Sequence, residues 1–147
     1  MRAILACLAE AFAPYRASYT EEAYLDTVLT TKTLKHRMKD MAVFVAARET
    51  DHSIIGTVAC NLVTLGEGHL RGMAVLTSCQ GAGVAQQLLE RAEAELCARK
   101  CTRITLDTTE PLKRAIRFYE RNGYRPSGRV TDFFGMPLFE YEKSLQT

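Results

Sequence analysis

Gln80-Gly81-Ala82-Gly83-Val84-Ala85 is the stretch of this chain best suited to chemistry. An apolar run from Leu70 to Leu76 leads into it. A long amphipathic segment comes next, with Leu88, Ala92 and Leu96 on one face and Glu90, Arg91, Glu93 and Glu95 on the other. This pattern predicts a strand, a tight glycine turn and a helix. The first amides of a helix have no partner inside it, and its dipole adds partial positive charge there. Glycine at 81 and 83 removes the Cβ atoms that would hold a ligand off those amides. The turn is a candidate phosphate site.

Three phosphate-binding designs and one purely structural role compete for that turn. A P-loop is excluded, because no Gly-Lys-Ser/Thr occurs at the required spacing. A dinucleotide turn is imitated by the order strand, Gly81-x-Gly83, helix and strand, with Asp107 near the place of a ribose-binding acid. Against it, Gln86 occupies the third glycine position and the connection from Leu76 to Gly81 is long. A strand meander also precedes the motif, where a Rossmann unit opens its fold. A glycine turn that merely packs a helix on a sheet is the structural alternative.

The third design rests on three blocks of sequence. Gln80-x-x-Gly83-x-Ala85 resembles the acyl-CoA signature of the GNAT superfamily of acyl-CoA-dependent N-acyltransferases. Leu70-Arg71-Gly72-Met73-Ala74-Val75 is similar to the strand before that signature. Ala115-Ile116-Arg117-Phe118-Tyr119-Glu120-Arg121-Asn122-Gly123-Tyr124 is similar to the family's Ala-x-x-x-Tyr-x-x-x-Gly-Phe/Tyr block. The blocks stand in the family's order and run from Glu67 to Arg125, about two-fifths of the chain.

The resemblance implies an α/β fold, a mixed and mostly antiparallel sheet flanked by helices. It implies acetyl-CoA (coenzyme A) as cofactor and direct transfer of an acetyl or other short acyl group to a primary amine of a small molecule or peptide. Gln80, Gly81, Ala82, Gly83, Val84 and Ala85 would then hold the pyrophosphate. Met73 to Val75 would splay from the strand Arg103 to Asp107, freeing backbone groups of Met73 and Val75 for the pantetheine arm. The Val75 amide would polarise the thioester carbonyl, as an oxyanion site does. Tyr119 matches the family's tyrosine near the CoA sulfur and would protonate the departing thiolate.

An amine that attacks must lose a proton, and Glu67, His69 and Asp107 are candidate bases by their places at strand ends. His69 has an ordinary pKa near working pH, and transfer through water stays open. Where the family often carries an asparagine before the tyrosine, this chain has Leu112. The family's first strand also precedes its first helix, whereas this chain starts in a helix, so the sheet is expected to lack it. A non-catalytic acyl-CoA sensor on the same fold would keep the turn without proton-transfer groups; Tyr119 favours the enzyme. The acceptor is expected to be set by the segment from Pro14 to Lys39 and by Asp132-Phe133-Phe134-Gly135. Tyr15, Tyr19 and Tyr24 are either ordinary surface packing or a pocket wall, and Phe133 and Phe134 either recognise the amine or make a dimer contact. A homodimer is compatible with the resemblance.

The elements that must position these residues are set by periodicity. Ile4, Leu5, Leu8 and Phe12 predict a helix over Arg2 to Phe12, ended by Pro14. Thr20 caps a second helix, Thr30 to Thr33 breaks it, and Leu34 to Asp40 makes a third. Strands are expected over Met41 to Ala47, Ile54 to Val63 and His69 to Leu76. After Arg103 to Asp107, Thr108 or Thr109 should cap a helix with Pro111 in its first turn. Asn122-Gly123 stops that helix, Pro126-Ser127-Gly128 turns, and strands Arg129 to Phe133 and Leu138 to Lys143 close the fold.

All 147 residues read as a single domain, 47% hydrophobic and 24% charged. A net charge of +2 argues against nucleic acid or an anionic membrane as partner. No apolar run reaches the ~20 residues a membrane span needs. Five cysteines without a CxxC pair or an export signal point to a reducing cytoplasm and to no metal site.

Overall fold

Helical spacing of apolar residues makes α1 (Arg2–Phe12), whose Ile4, Cys7 and Leu8 are buried. A 3₁₀ segment (Ala13–Ser18) opens on Pro14 and leads to α2 (Glu21–Thr27), capped by the Thr20 hydroxyl. In the computed structural model, residues 1–145 are described. Gln146 and Thr147, the end of the domain expected over 1–147, lie outside the described residues.

α3 (Thr31–Asp40) starts earlier than the helix expected over Leu34 to Asp40. The threonines expected to act as a breaker are its cap: Thr30 Oγ1 accepts the Thr33 N–H at 3.3 Å, and Thr33 Oγ1 accepts the Thr30 N–H at 2.8 Å. This reciprocal pair satisfies amides that the helix start leaves free.

Six strands come after the helices: β1 (Ala42–Ala47), β2 (Ile54–Thr64), β3 (Glu67–Val75), β4 (Arg103–Thr108), β5 (Arg125–Phe133) and β6 (Met136–Ser144). They form one sheet in the order β1-β2-β3-β4-β6-β5, antiparallel except between β3 and β4. That parallel step requires a crossover, which α4 (Val84–Ala98) supplies. α5 (Lys113–Arg121) links β4 to β5. Among the described residues no strand precedes α1, so the sheet starts after the first three helices.

Three boundaries differ from expectation. Glu67 already pairs with Thr64 and Arg103, so the turn before β3 is only Leu65-Gly66. β5 begins at Arg125 and passes through Pro126-Ser127-Gly128 as an irregularity within the strand, where Gly128 takes φ +93°. Neither Thr108 nor Thr109 caps α5. The Leu112 N–H donates to the Thr109 carbonyl, and the helix proper starts at Lys113.

The sheet is covered on both faces. α4 and α5 pack Leu88, Leu89, Leu96 and Tyr119 against Val58, Leu70, Ile104 and Leu106. α1 and α3 pack Leu8 and Leu34 against the other face near Ala74. All five cysteines are free thiols. No helix among the described residues is long and apolar enough to cross a membrane.

Candidate active site

β3 and β4 pair from Glu67–Arg103 to Leu70–Leu106 and no further. Beyond that point β3 stays on β2 and β4 stays on β6, so the two strands part. The cause is local. β3 holds Gly72 and Met73 opposite a single β2 residue, Val58, with Gly72 at φ +66°. Such a bulge bends its strand and re-aims the residues beyond it. The parted edges border a cavity of about 990 Å³, lined by Arg71 to Val75 on one side and Leu106 to Thr109 on the other.

The glycine turn closes one end of this cleft. Gly83 caps α4 in the left-handed region, φ +83°, with no side-chain cap. The first bond of α4 runs from the Gln87 N–H to the Gly83 carbonyl. Among the described residues, the amides from Gly81 to Gln86 donate to no backbone carbonyl. A Cβ at Gly83 would meet nothing within 4 Å, because that side of the residue is open. Gly81, Gly83, Val84 and Ala85 line the cavity, whereas Ala82 does not.

Gln80 ties the turn to both flanks. Its Nε2 donates to the Val75 carbonyl at 3.2 Å, and its Oε1 accepts from Arg114 Nη1 at 2.8 Å. Arg114 on α5 thus sets a guanidinium beside the turn. Sequence reasoning misses it, since no local signal distinguishes it from other surface arginines. Leu76 donates its N–H to the Ile55 carbonyl. By the alternation of an antiparallel ladder, the Val75 amide then faces away from β2 and into the cleft. Met73 and Val75 both line it, as does Leu112. The Thr108 hydroxyl is buried there and has no hydrogen-bond partner among the described residues.

Tyr119 also lines the cavity, its ring packed edge-on between Phe118 and Tyr124. Burial alone pushes its phenol pKa above the ordinary value. The hydroxyl therefore keeps its proton through the physiological range.

His69 and Asp107 meet in space. The parallel register sets His69 opposite Thr105, and His69 Nδ1 lies 2.8 Å from Thr105 Oγ1. Its Nε2 lies 3.6 Å from Asp107 Oδ2. Burial lowers the imidazole pKa, Asp107 opposes that and Arg71 adds to it. The Asp107 carboxyl is raised by burial, with His69 pulling it back. Both residues border the main cavity and a second hollow of about 260 Å³ that opens beside Arg129 and Glu140.

Glu67 does not join them in the main cavity. Arg103 holds its carboxylate at 2.6 Å and also reaches Glu140 at 3.3 Å and Glu142 at 3.0 Å. Glu67 borders the smaller hollow, with its carboxylate engaged in this ion-pair cluster.

The remaining wall of the main cavity comes from α1 to α3 and the β5–β6 turn. Tyr15, Tyr19, Phe133 and Phe134 line it, and the Tyr19 hydroxyl sits 2.6 Å from Thr109 Oγ1. Tyr24 stands behind, edge-on to Tyr19 with Arg16 over its ring.

Unpaired amides, an open Gly83 and an orphaned Thr108 hydroxyl fit an elongated ligand with a diphosphate at one end and polar groups along its length. The acetyltransferase (GNAT) family model matches residues 5–124. Among solved structures, a PaiA N-acetyltransferase from Thermoplasma acidophilum in complex with coenzyme A is 18% identical. It covers 98% of this chain and 92% of its own, with a TM-score of 0.81. The ribosomal-protein-S18-alanine N-acetyltransferase from Escherichia coli is 18% identical over 99% of this chain and 88% of its own, TM-score 0.77. A GNAT family acetyltransferase from Elizabethkingia anophelis with acetyl-CoA bound is 13% identical over 79% and 84%, TM-score 0.65.

Proposed function

The chain belongs to the acetyltransferase (GNAT) family, and from that premise we propose that it moves an acetyl group from acetyl-CoA to a primary amine by direct attack. One observation carries the proposal: six consecutive amides without a backbone acceptor, Gly81 to Gln86, open onto a cleft where the two central strands part. Arg114 adds positive charge beside them. Acetyl-CoA supplies an acyl group already activated as a thioester.

In this reading the amides of the turn bind the diphosphate, and the free edge of β3 from Met73 to Val75 aligns the pantetheine arm. The Val75 amide donates to the carbonyl oxygen as negative charge gathers on it. Neutral His69 takes the proton that the amine gives up as the carbon–nitrogen bond forms. Asp107 steadies the imidazolium, and the smaller hollow offers that proton a path to solvent. Tyr119 gives its phenolic proton to the sulfur as the carbon–sulfur bond breaks, and regains one from solvent afterwards. A general acid or base so placed is worth ~10²–10⁴ in rate.

The test is titration of acetyl-CoA into the protein, followed by thiol release with a panel of amines. Binding and amine-dependent release support the transferase. Tight binding with no amine-dependent release across the panel would leave the sensor; no binding would remove both.

A further inference from the structure

Arg37 is a cation of the main cavity that no mechanism step uses. It projects from α3, half-buried, and lines the cavity together with Tyr15, Tyr19, Phe133 and Phe134. Its guanidinium lies directly over the bulge of β3: a Cβ placed on Gly72 would stand 2.7 Å from Arg37 Nη1. Among the described residues that guanidinium makes no ion pair and no hydrogen bond. Its neighbour Arg71 is already held by Asp26 at 2.7 Å. Asp26, the carboxylate that acts on Arg37, is thus already engaged by Arg71.

Burial and the like charge of Arg71 lower the Arg37 pKa to about 10, with Asp26 acting against them. It stays charged at neutral pH. A half-buried guanidinium has five donors in a planar fork, and leaving them unmet beside another cation is costly. A carboxylate matches that fork with two parallel hydrogen bonds.

Resting on the transferase reading, we propose that the acceptor is an amine that also carries a carboxylate, held by Arg37, with an apolar remainder against Tyr15, Tyr19, Phe133 and Phe134. The chemical class is an apolar or aromatic amino acid with a free carboxyl group. Arg37 stands over Gly72, one residue before the strand edge that would hold the thioester. A carboxylate on its guanidinium therefore keeps an amine on the adjacent carbon within reach of that edge. His69 and Arg71 share the face of β3 that precedes the bulge, so the base approaches from the same side.

The experiment compares L-phenylalanine with L-phenylalanine amide as acceptors, for wild type, Arg37→Leu and Arg37→Lys. The amide has the less basic amine and is intrinsically the readier nucleophile at neutral pH, so a preference for the acid must come from the protein. Wild type is expected to favour the acid in kcat/KM by about 10²-fold, the scale of a charge-assisted pair. Arg37→Leu should erase the preference, and Arg37→Lys should keep part of it, since a lysine retains the charge but not the fork. Equilibrium binding of N-acetyl-L-phenylalanine and its amide, measured by calorimetry, gives a readout that needs no turnover and should show the same order.

Acetyl-CoA is titrated into all three proteins in parallel. Loss of its binding to wild type would bring down the transferase reading and this proposal with it. Normal acetyl-CoA binding, with acid and amide accepted or bound alike by wild type and Arg37→Leu, would overturn the role of Arg37 alone.

Discussion

Two glycines separate the binding role of the turn from its conformational cost. Gly83 and Gly128 both sit in the left-handed region, at φ +83° and +93°, and a Cβ on either meets nothing within 4 Å. An alanine at either position carries the same steric penalty, ~1–2 kcal/mol for a non-glycine residue in that region. For a chain of this size that lowers the melting temperature by about 2–8 °C. The two differ in what occupies the open side. At Gly83 it is the cavity and the free amides of α4; Gly128 lies in β5 and does not line the cavity. A methyl group at 83 would displace a diphosphate from its donors, and losing one charge-assisted hydrogen bond costs ~1.5–3 kcal/mol. Gly83→Ala should therefore weaken coenzyme A binding roughly 10- to 100-fold, while Gly128→Ala leaves it unchanged. Thermal melts and isothermal titration of both variants give the four numbers. Equal melting losses with equal coenzyme affinities would refute a diphosphate on the α4 amides.

Further outcomes are expected. Tyr119→Phe should cut kcat by ~10²–10⁴ while keeping acetyl-CoA affinity and melting temperature, read by single-turnover kinetics beside calorimetry; a variant as fast as wild type removes Tyr119 from the chemistry. Burial holds His69 below its ordinary value, and the neutral imidazole is the active form. Thus kcat/KM should fall with acid only below about pH 6.5, and His69→Gln should lose both that limb and most of the rate. The same shift means the unfolded chain binds the proton first, so stability should decline as pH drops below about 6.5; urea melts at several pH values check the sign. Cys97 is exposed, Cys79 is half-buried at the cavity edge, and burial holds the Cys7 thiol up at about 11. Iodoacetamide treatment and mass spectrometry should find Cys97 modified first, with coenzyme A slowing Cys79 alone.

The parts of the site written in consecutive residues were the legible ones. Gln80 to Ala85 announces an open helix start because glycine spacing and helical periodicity are both local. The parallel step from β3 to β4 was legible too, since a strand, a long amphipathic helix and a second strand require a crossover, but the place of β6 between β4 and β5 was not. Features that depend on register were not. His69 and Asp107 were separate candidates until the parallel pairing of His69 with Thr105 set them side by side. Glu67 looked equally good until the same register brought Arg103 to it and β6 added Glu140 and Glu142. Gly72 did carry a signal, a glycine within an apolar strand, which marks a bulge or a close approach; here it is both. Arg37 carried none, because a lone cation on a polar helix is ordinarily solvated.

An open helix start can reflect a ligand or merely a weak cap, and comparison of this chain's own helices separates the two. α2 and α3 are capped by Thr20 and Thr30 through their hydroxyls, and α1, which starts after Met1 without a side-chain cap, does not border the amides of the turn. α5 has no side-chain cap either, but its entry is closed by its own backbone, with Leu112 and Lys113 donating to Thr109 and Pro111. α4 has neither device. Its free amides also border the cavity that holds the unpartnered Thr108 hydroxyl and the unpaired edge of β3. Unsatisfied polar groups are costly wherever water is excluded. Scattered over the molecule they would mean poor packing; gathered on one cleft, from three different elements, they describe the shape and polarity of the ligand that fills it.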